Sequence, residues 1–502
     1  MNTIRELLNQ ISNPNLSTSE RVWLRCELAK QFERTGNYEA ARGAMDDLWR
    51  GIGEYPNLKL LDERTSAEVL LRVGVLTGWI GSIRLIKGSQ RVARSLLGES
   101  IAIFASLSHL KKMAEAQIEV ALCYMREGSL NSARRLYAEA LAQLDDRDGD
   151  LKALAILRSA LVELLANRLS DSLNILKSGA DLFEASTNHV LRGAFHNNLA
   201  RVLRNLGADA NRPEYMEQAL TEYKASISHY EQTEHVRCQA GAQNNIALLF
   251  LQLERFAEAH EHLDHAQTLL TRLGDSTLAS VEETRARVLL AEGAVSKAEQ
   301  CVTAAITIFE KGDEFSKLAE ALTTHGVALS RLGRFDQART SFERAVSSAE
   351  EVGDLPKAGL AALAFIEELA EQLSDDELSS LFERARHSLK DSQDPVSLNR
   401  LSECAWRILS IIHTTHPDWT TFSLSDTLRR HEGRFIKMAL EDAGGSVTKA
   451  AGLLGLPGHQ SLNFILRRRH QELLNLRTPI KPRRHSTLKL ITPKRKVAGN
   501  AK

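Results

Sequence analysis

The residues best able to do chemistry stand near the end of the chain. His459, Gln460, Ser461 and Asn463 precede the run Arg467, Arg468, Arg469, with Leu462 and Ile465 among them. On a helix that buries Leu462 and Ile465, the four polar side chains point outward. Imidazole, amide and hydroxyl groups offer both donors and acceptors, which is what reading base edges in a major groove requires. Guanidinium groups suit phosphate oxygens. Beyond them Arg483, Arg484, Lys494, Arg495 and Lys496 continue the positive charge. From Arg467 to Lys502 there are 12 Lys and Arg against a single acid, Glu472, although the whole chain balances 64 basic with 64 acidic residues. An acidic body followed by a basic end points to an anionic partner for that end.

Three helices must position these groups. Leu428, Phe435, Ile436, Ala439 and Leu440 give a long amphipathic first helix, stopped at Gly444-Gly445. Ser446 is placed to cap a short second helix, 447–454, through its hydroxyl. The turn Gly455-Leu456-Pro457-Gly458 leads into a third helix from about residue 459 to 469. Glu432, Ala439-Leu440, Gly445, Ala450-Ala451, Leu454-Gly455 and Leu462 resemble the helix-turn-helix of the Fis protein and of bacterial enhancer-binding activators. Six residues, Leu456 to Ser461, separate the turn glycine from the helix leucine where that family usually has five, which reads as a one-residue insertion. The resemblance implies DNA binding by the third helix and a homodimer through the first, around Phe435 and Ala439.

The rest of the chain is repetitive. In GRFDQARTSFERA, Gly333 ends a helix, Phe335 plugs the turn, and Ala338, Phe342 and Ala345 lie along one face of the next helix; Gly326 stands seven residues before Gly333. The frame recurs at Gly36, Tyr38 and Ala41; at Ala121, Gly128, Leu130, Ala133, Tyr137 and Ala140; at Phe256, Ala259, Leu263 and Ala266; and at Gly293, Ala298, Val302 and Ala305. Weaker copies centre on Ala93, Ser172, Ala219 and Leu378. The small-residue marker thus falls at 41, 93, 133, 172, 219, 259, 298, 338 and 378, mostly 39 or 40 apart. A longer step from 172 to 219 predicts an inserted turn around Asn211-Arg212-Pro213. Over about residues 20–390 the pattern resembles the tetratricopeptide repeat (TPR) in an extended form. The resemblance makes the first helix of each repeat the concave wall, where Asn197, Arg201 and Asn244 would grip a peptide backbone; helix–helix hydrogen bonding is the equal alternative for the asparagines.

Other chemistries find no support. There is no GxxxxGK[ST], GxSxG, HExxH or kinase signature, so no enzyme and no cofactor are expected. His260, His262 and His265 flank the packing positions Ala259, Leu263 and Ala266 and read as a solvated face rather than a metal site. Cys26, Cys123, Cys238, Cys301 and Cys404 are odd in number and widely spaced, which suits a reducing cytoplasm. No apolar N-terminal core is present, and the stretch from Val73 to Ile83 is too short to span a bilayer.

The expected fold is all-α: an extended TPR-type solenoid over 1–392, a capping helix and linker over 393–422, a helix-turn-helix over 423–476 and a basic tail, disordered until it meets polyanion, over 477–502. The expected protein is a cytoplasmic, nucleoid-associated bacterial regulator that docks a protein or peptide in its solenoid, binds DNA at its C-terminus and has no membrane partner. A non-catalytic scaffold whose tail binds RNA or acidic partners is the alternative.

Overall fold

The computed structural model describes residues 2–208, 213–233, 235–271, 277–414 and 423–477. Every regular element among them is helical. The chain divides into two compact units, Met1–His413 and Thr414–Lys502. Residues 478–502, with Arg483, Arg484, Lys494, Arg495 and Lys496, lie outside the described residues, as do 415–422 and the expected turn at Asn211-Arg212.

The first unit opens with α1 (Asn2–Ile11) and then stacks nine helical hairpins. These are α2 (Thr18–Arg34) with α3 (Tyr38–Ala44), α4 (Glu63–Ile83) with α5 (Ser89–Ser106), α6 (Leu110–Glu127) with α7 (Leu130–Leu141), and α8 (Gly149–Leu165) with α9 (Leu169–Ser178). After the short α10 (Ala180–Ala185) come α11 (His189–Gly207) with α12 (Pro213–Glu231), and α13 (Val236–Gln252) with α14 (Phe256–Thr271). The last three are α15 (Leu278–Ala291) with α16 (Val295–Phe309), α17 (Phe315–Arg331) with α18 (Phe335–Val352), and α19 (Leu355–Leu369) with α20 (Asp375–Ser388). A final helix, α21 (Pro395–Thr414), packs Cys404 and Ile408 into the same core as Leu363 and Phe365 of α19. Arg400 donates to Glu367 at 2.6 and 2.8 Å, pinning α21 to the last hairpin.

All nine repeat markers fall on the second helix of a hairpin and are at most 1% exposed. The physical reason is visible at Gly326: a Cβ there would come within 2.7 Å of the Phe342 ring, which itself stacks on Phe365 with centroids 5.2 Å apart. Small residues let the paired helices touch, and aromatic residues fill the space between pairs. The longest step, from 41 to 93, is taken up by the seven-residue α3 and the excursion after it, where Met45 and Trp49 still reach the core.

By length and composition α4 could cross a bilayer, yet most of its surface is buried against its neighbours. The histidine trio departs from expectation at two positions: His262 stacks on Phe250, centroids 5.3 Å apart, and lies 2.6 Å from Gln243 Oε1, and His260 lies 3.0 Å from Glu292, so both are half-buried while His265 is exposed.

Among its described residues the second unit has three helices, α22 (Leu424–Asp442), α23 (Val447–Leu453) and α24 (His459–Arg469), followed by a 3₁₀ turn, Gln471–Leu476. They enclose a core of Ile436, Ala439, Leu440, Ala450, Ala451, Leu462 and Leu466. Gly444, Gly445 and Gly455 all adopt positive φ, which makes both tight connections accessible to glycine with little strain. Three expectations are corrected here. Leu466, not Ile465, joins Leu462 as the fully buried pair of α24, because i and i+4 face the core where i+3 sits at its edge. Ser446 stands before α23 without a side-chain capping bond. Leu428 and Phe435 are exposed rather than part of the core.

Candidate functional site

The first helices of the hairpins face one another across a cavity of about 1070 Å³. Its wall takes residues from α2, α4, α6, α8, α11, α13, α15, α17 and α19. The hairpin array therefore encloses a lumen rather than an open shelf.

Polar contacts between residues more than 200 apart join distant repeats around the lumen. Arg237 Nη1 donates to the carbonyl of Gly36 at 2.7 Å, and His235 lies over Gly36 so tightly that a Cβ would be 2.7 Å from its ring. Ser82 Oγ donates to Glu314 at 2.7 Å, and the Gly88 amide donates to Asp313 at 2.6 Å. The Gln393 backbone amide donates to the carbonyl of Asn167 at 2.7 Å, while its side chain accepts from the Ser170 amide at 3.1 Å and donates to Asp171 at 3.0 Å. These seams join chain positions 201 to 232 apart, or about five to six repeats, so a repeat meets the one that lies a superhelical turn further along the array.

Much of the wall's charge is paired from repeat to repeat. Arg72 is buried between Glu33 at 2.7 Å and Glu115 at 2.6 Å, and Lys30 also reaches Glu115 at 2.8 Å. Arg158 meets Glu119 at 2.7 Å; Lys357 and Arg287 meet Glu320 at 2.6 and 3.3 Å. Burial pushes the Glu33 carboxyl up to about 7 in spite of Arg72. Burial also raises Glu283, which accepts from Thr324 at 2.8 Å, while Glu320 is held low because Lys357 and Arg287 outweigh its burial.

The groove residues read from the sequence separate. Arg201 and Asn244 line the lumen, joined by Asn198, Arg204 and Asn245. Asn197 does not: its Oδ1 accepts from Asn245 Nδ2 at 3.1 Å, so it bonds α11 to α13 as the structural alternative supposed. Asn244 Oδ1 is buried without a hydrogen-bond partner, as is Nη2 of Arg126, whose guanidinium lies 3.9 Å over the Trp79 ring. Sequence reasoning missed Arg126, Arg158, Arg204 and Glu320. Each sits on a first helix, and counting back from the repeat markers could have found them.

In the second unit His459 and Gln460 are exposed at the start of α24, Ser461 and Asn463 are half-buried, and Arg467 and Arg468 are exposed. Asn463 Oδ1 accepts from Arg477 at 2.7 Å. Arg469 ion-pairs with Glu432 at 3.2 Å, and its carbonyl accepts from Arg429 at 2.9 Å, which ties the end of α24 to α22. His470 is 2% exposed, its ring nitrogens 3.1 Å from Glu432 and from Glu472. Gly433 makes room for it, since a Cβ there would come within 2.8 Å of the imidazole. Phe464, absent from the sequence reading, is exposed on the same helix with Arg468 5.6 Å from its ring centre. Leu424, Leu428, Phe435 and Met438 form an exposed apolar stripe along α22, whereas Ala439 is spent in the unit's own core.

Residues 319–351 match the tetratricopeptide-repeat family. That span covers α17 and α18, the hairpin of Gly326 and Phe342. Among solved structures, a Rap protein complexed with competence and sporulation factor is similar with a TM-score of 0.52 at 14% identity, over 78% of this chain and 99% of that one. The apo form of the quorum sensor NprR from B. thuringiensis matches at 0.44 and 14% identity, over 69% and 97%. Aspartyl phosphate phosphatase F from Bacillus subtilis matches at 0.42 and 15%, over 71% and 94%. No curated protein matches the sequence. The first unit is thus an all-α, TPR-type solenoid.

Proposed function

We propose that this protein is a non-enzymatic regulator that senses a protein or peptide segment in the solenoid lumen and binds DNA through its C-terminal unit. The lumen carries the sensing half: a wall built from nine first helices, with Asn244 left unpaired, is suited to a single extended chain rather than a folded partner. The similar Rap protein was solved in complex with competence and sporulation factor, which supports a sensing role for such a solenoid. The DNA-binding half rests on α24, where exposed His459 and Gln460 precede exposed Arg467 and Arg468. In this reading the C-terminal unit is a helix-turn-helix of Fis type, α24 enters the major groove, α22 supplies a homodimer contact, and the basic residues to Lys502 lie on phosphates. The protein works in the cytoplasm, on the nucleoid.

Binding of the full-length protein to duplexes selected from random sequence tests this. Gln460→Ala and Asn463→Ala are expected to relax sequence preference, losing about 1–3 kcal/mol at each good base contact. Arg467→Ala and Arg468→Ala are expected to weaken all duplexes alike. If wild-type protein retains structured RNA and no duplex, the DNA reading is wrong and the basic end serves RNA.

A further inference from the structure

The lumen wall is not uniform, and its asymmetry specifies a ligand. Where α2, α4 and α6 meet, two buried cations are matched: Lys30 and Arg72 share Glu115, and Arg72 also meets Glu33. Along α15, α17 and α19 they are matched again, through Glu320 with Arg287 and Lys357 and through Glu314 with Lys317 at 2.7 Å. Between these arcs lies α11, where the pattern fails. Arg201 faces the lumen with no carboxylate within ion-pair distance among the described residues, and Arg204 one turn on is held by neutral oxygens, among them the Asn205 side chain at 3.0 Å and the Asn245 carbonyl at 3.4 Å. Nη2 of Arg126, on the same lumen, is buried and unpartnered.

A guanidinium drawn partly out of water without a counter-charge is costly, and Arg201 is half-buried. Burial presses the Arg201 pKa downward, the sign expected of a cation waiting for an anion. Glu320 is the acid that Arg201 feels, and Lys357 and Arg287 already hold it. Beside this arc the wall is apolar: Leu154 and Leu161 of α8, Val190 and Ala194 of α11 and Leu248 of α13 line the lumen half-exposed. Asn244, which lines the same lumen, has an unpaired Oδ1 that can accept from a peptide N–H.

Building on the lumen as a ligand site, we propose that its ligand is a short linear peptide with apolar side chains and a carboxylate. The carboxylate lies against Arg201, with Arg204 supplying further positive charge. The apolar side chains rest on α8 and the start of α11, and Asn244 accepts from the peptide backbone. The carboxylate comes either from the peptide's own C-terminus or from an Asp or Glu side chain.

The test passes two libraries of random hexapeptides, one with free and one with amidated C-termini, over immobilised full-length protein. Retained peptides should be rich in Leu, Ile, Val and Met and depleted of Lys and Arg. Preference for the free-acid library assigns the terminal carboxylate; equal retention with Asp or Glu enriched assigns the side chain. The best peptide should bind Arg201→Gln about tenfold or more weaker than wild type, and Arg201→Lys should recover part of the loss. An uncharged analogue of the same peptide should bind both proteins alike, which separates lost charge recognition from a damaged fold. Retained peptides that carry no acid, or that are basic, overturn the carboxylate assignment and leave the lumen as a peptide site. Retention of no peptide from either library overturns the peptide-sensing reading itself.

Discussion

At the scale of single residues, two buried groups set the terms on which the solenoid is stable. Gly326 touches the ring of Phe342, which cannot retreat because it stacks on Phe365. Gly326→Leu is therefore expected to cost roughly 1–3 kcal/mol through overpacking. Thermal unfolding that matched wild type would mean that this contact gives way freely. Glu283 is the second group. Its carboxyl is buried against Thr324, and burial, with Glu320 adding like charge, raises its pKa above the ordinary carboxylate value of 4.5. The unfolded chain then gives up this proton at lower pH than the folded one. Stability from this group is complete below the ordinary carboxylate range and is lost as pH rises through the raised value. Glu283→Gln keeps an acceptor for Thr324 and has no charge to bury. Its stability relative to wild type should grow between about pH 4 and pH 8 in paired denaturant titrations, and a difference independent of pH would contradict the assignment.

At the scale of elements, α22 presents a choice between solvent and partner. Leu424, Leu428, Phe435 and Met438 recur on one side of it, and Phe435 is 59% exposed. A stripe of this kind suits a two-fold contact with the same helix of a second copy. Phe435→Glu places two like charges near such an axis, so sedimentation should show wild-type dimers and a monomeric variant; wild-type protein that stays monomeric free and on DNA would end the idea. The same element shows where sequence reading succeeds and where it stops. The repeat markers were legible because close helix contact admits only small side chains, and that constraint recurs every 39 or 40 residues. The exact inward set of α22 and α24 was not, because in a unit of three helices the choice between Ile465 and Leu466, or between Phe435 and Ile436, depends on where the neighbouring helix lies. Asn197 and Asn244 looked equivalent for a related reason: adjacent asparagines point about 100° apart on a helix, and the sequence does not say which of each pair meets the neighbouring repeat.

At the scale of the whole molecule, the charge asymmetry gives a measurable expectation. After Leu476 stand nine Lys and Arg residues and no acid. If roughly four of them reach phosphates, truncation after Leu476 should flatten the slope of log affinity against log salt by about 3.6, from about 0.9 per contact. The preference for specific over scrambled duplex should survive, because phosphate contacts carry no base information. An unchanged slope would place the tail on some other partner. The seams of the solenoid were invisible in the sequence, since Gly36 with Arg237 and Asn167 with Gln393 share no periodic signature. Their consequence extends to how the chain folds. A repeat array contacting only its neighbours is quasi-one-dimensional: each unit gains stability from the next, and the ends fray independently. Closing positions 201 to 232 apart adds a few contacts of very high sequence separation, whose loop-closure entropy is met only after the intervening repeats have formed. Those contacts form late and together, and once formed they tie the fraying of the first hairpins to that of α13 and α17, so that the array melts as one body and not from its tips.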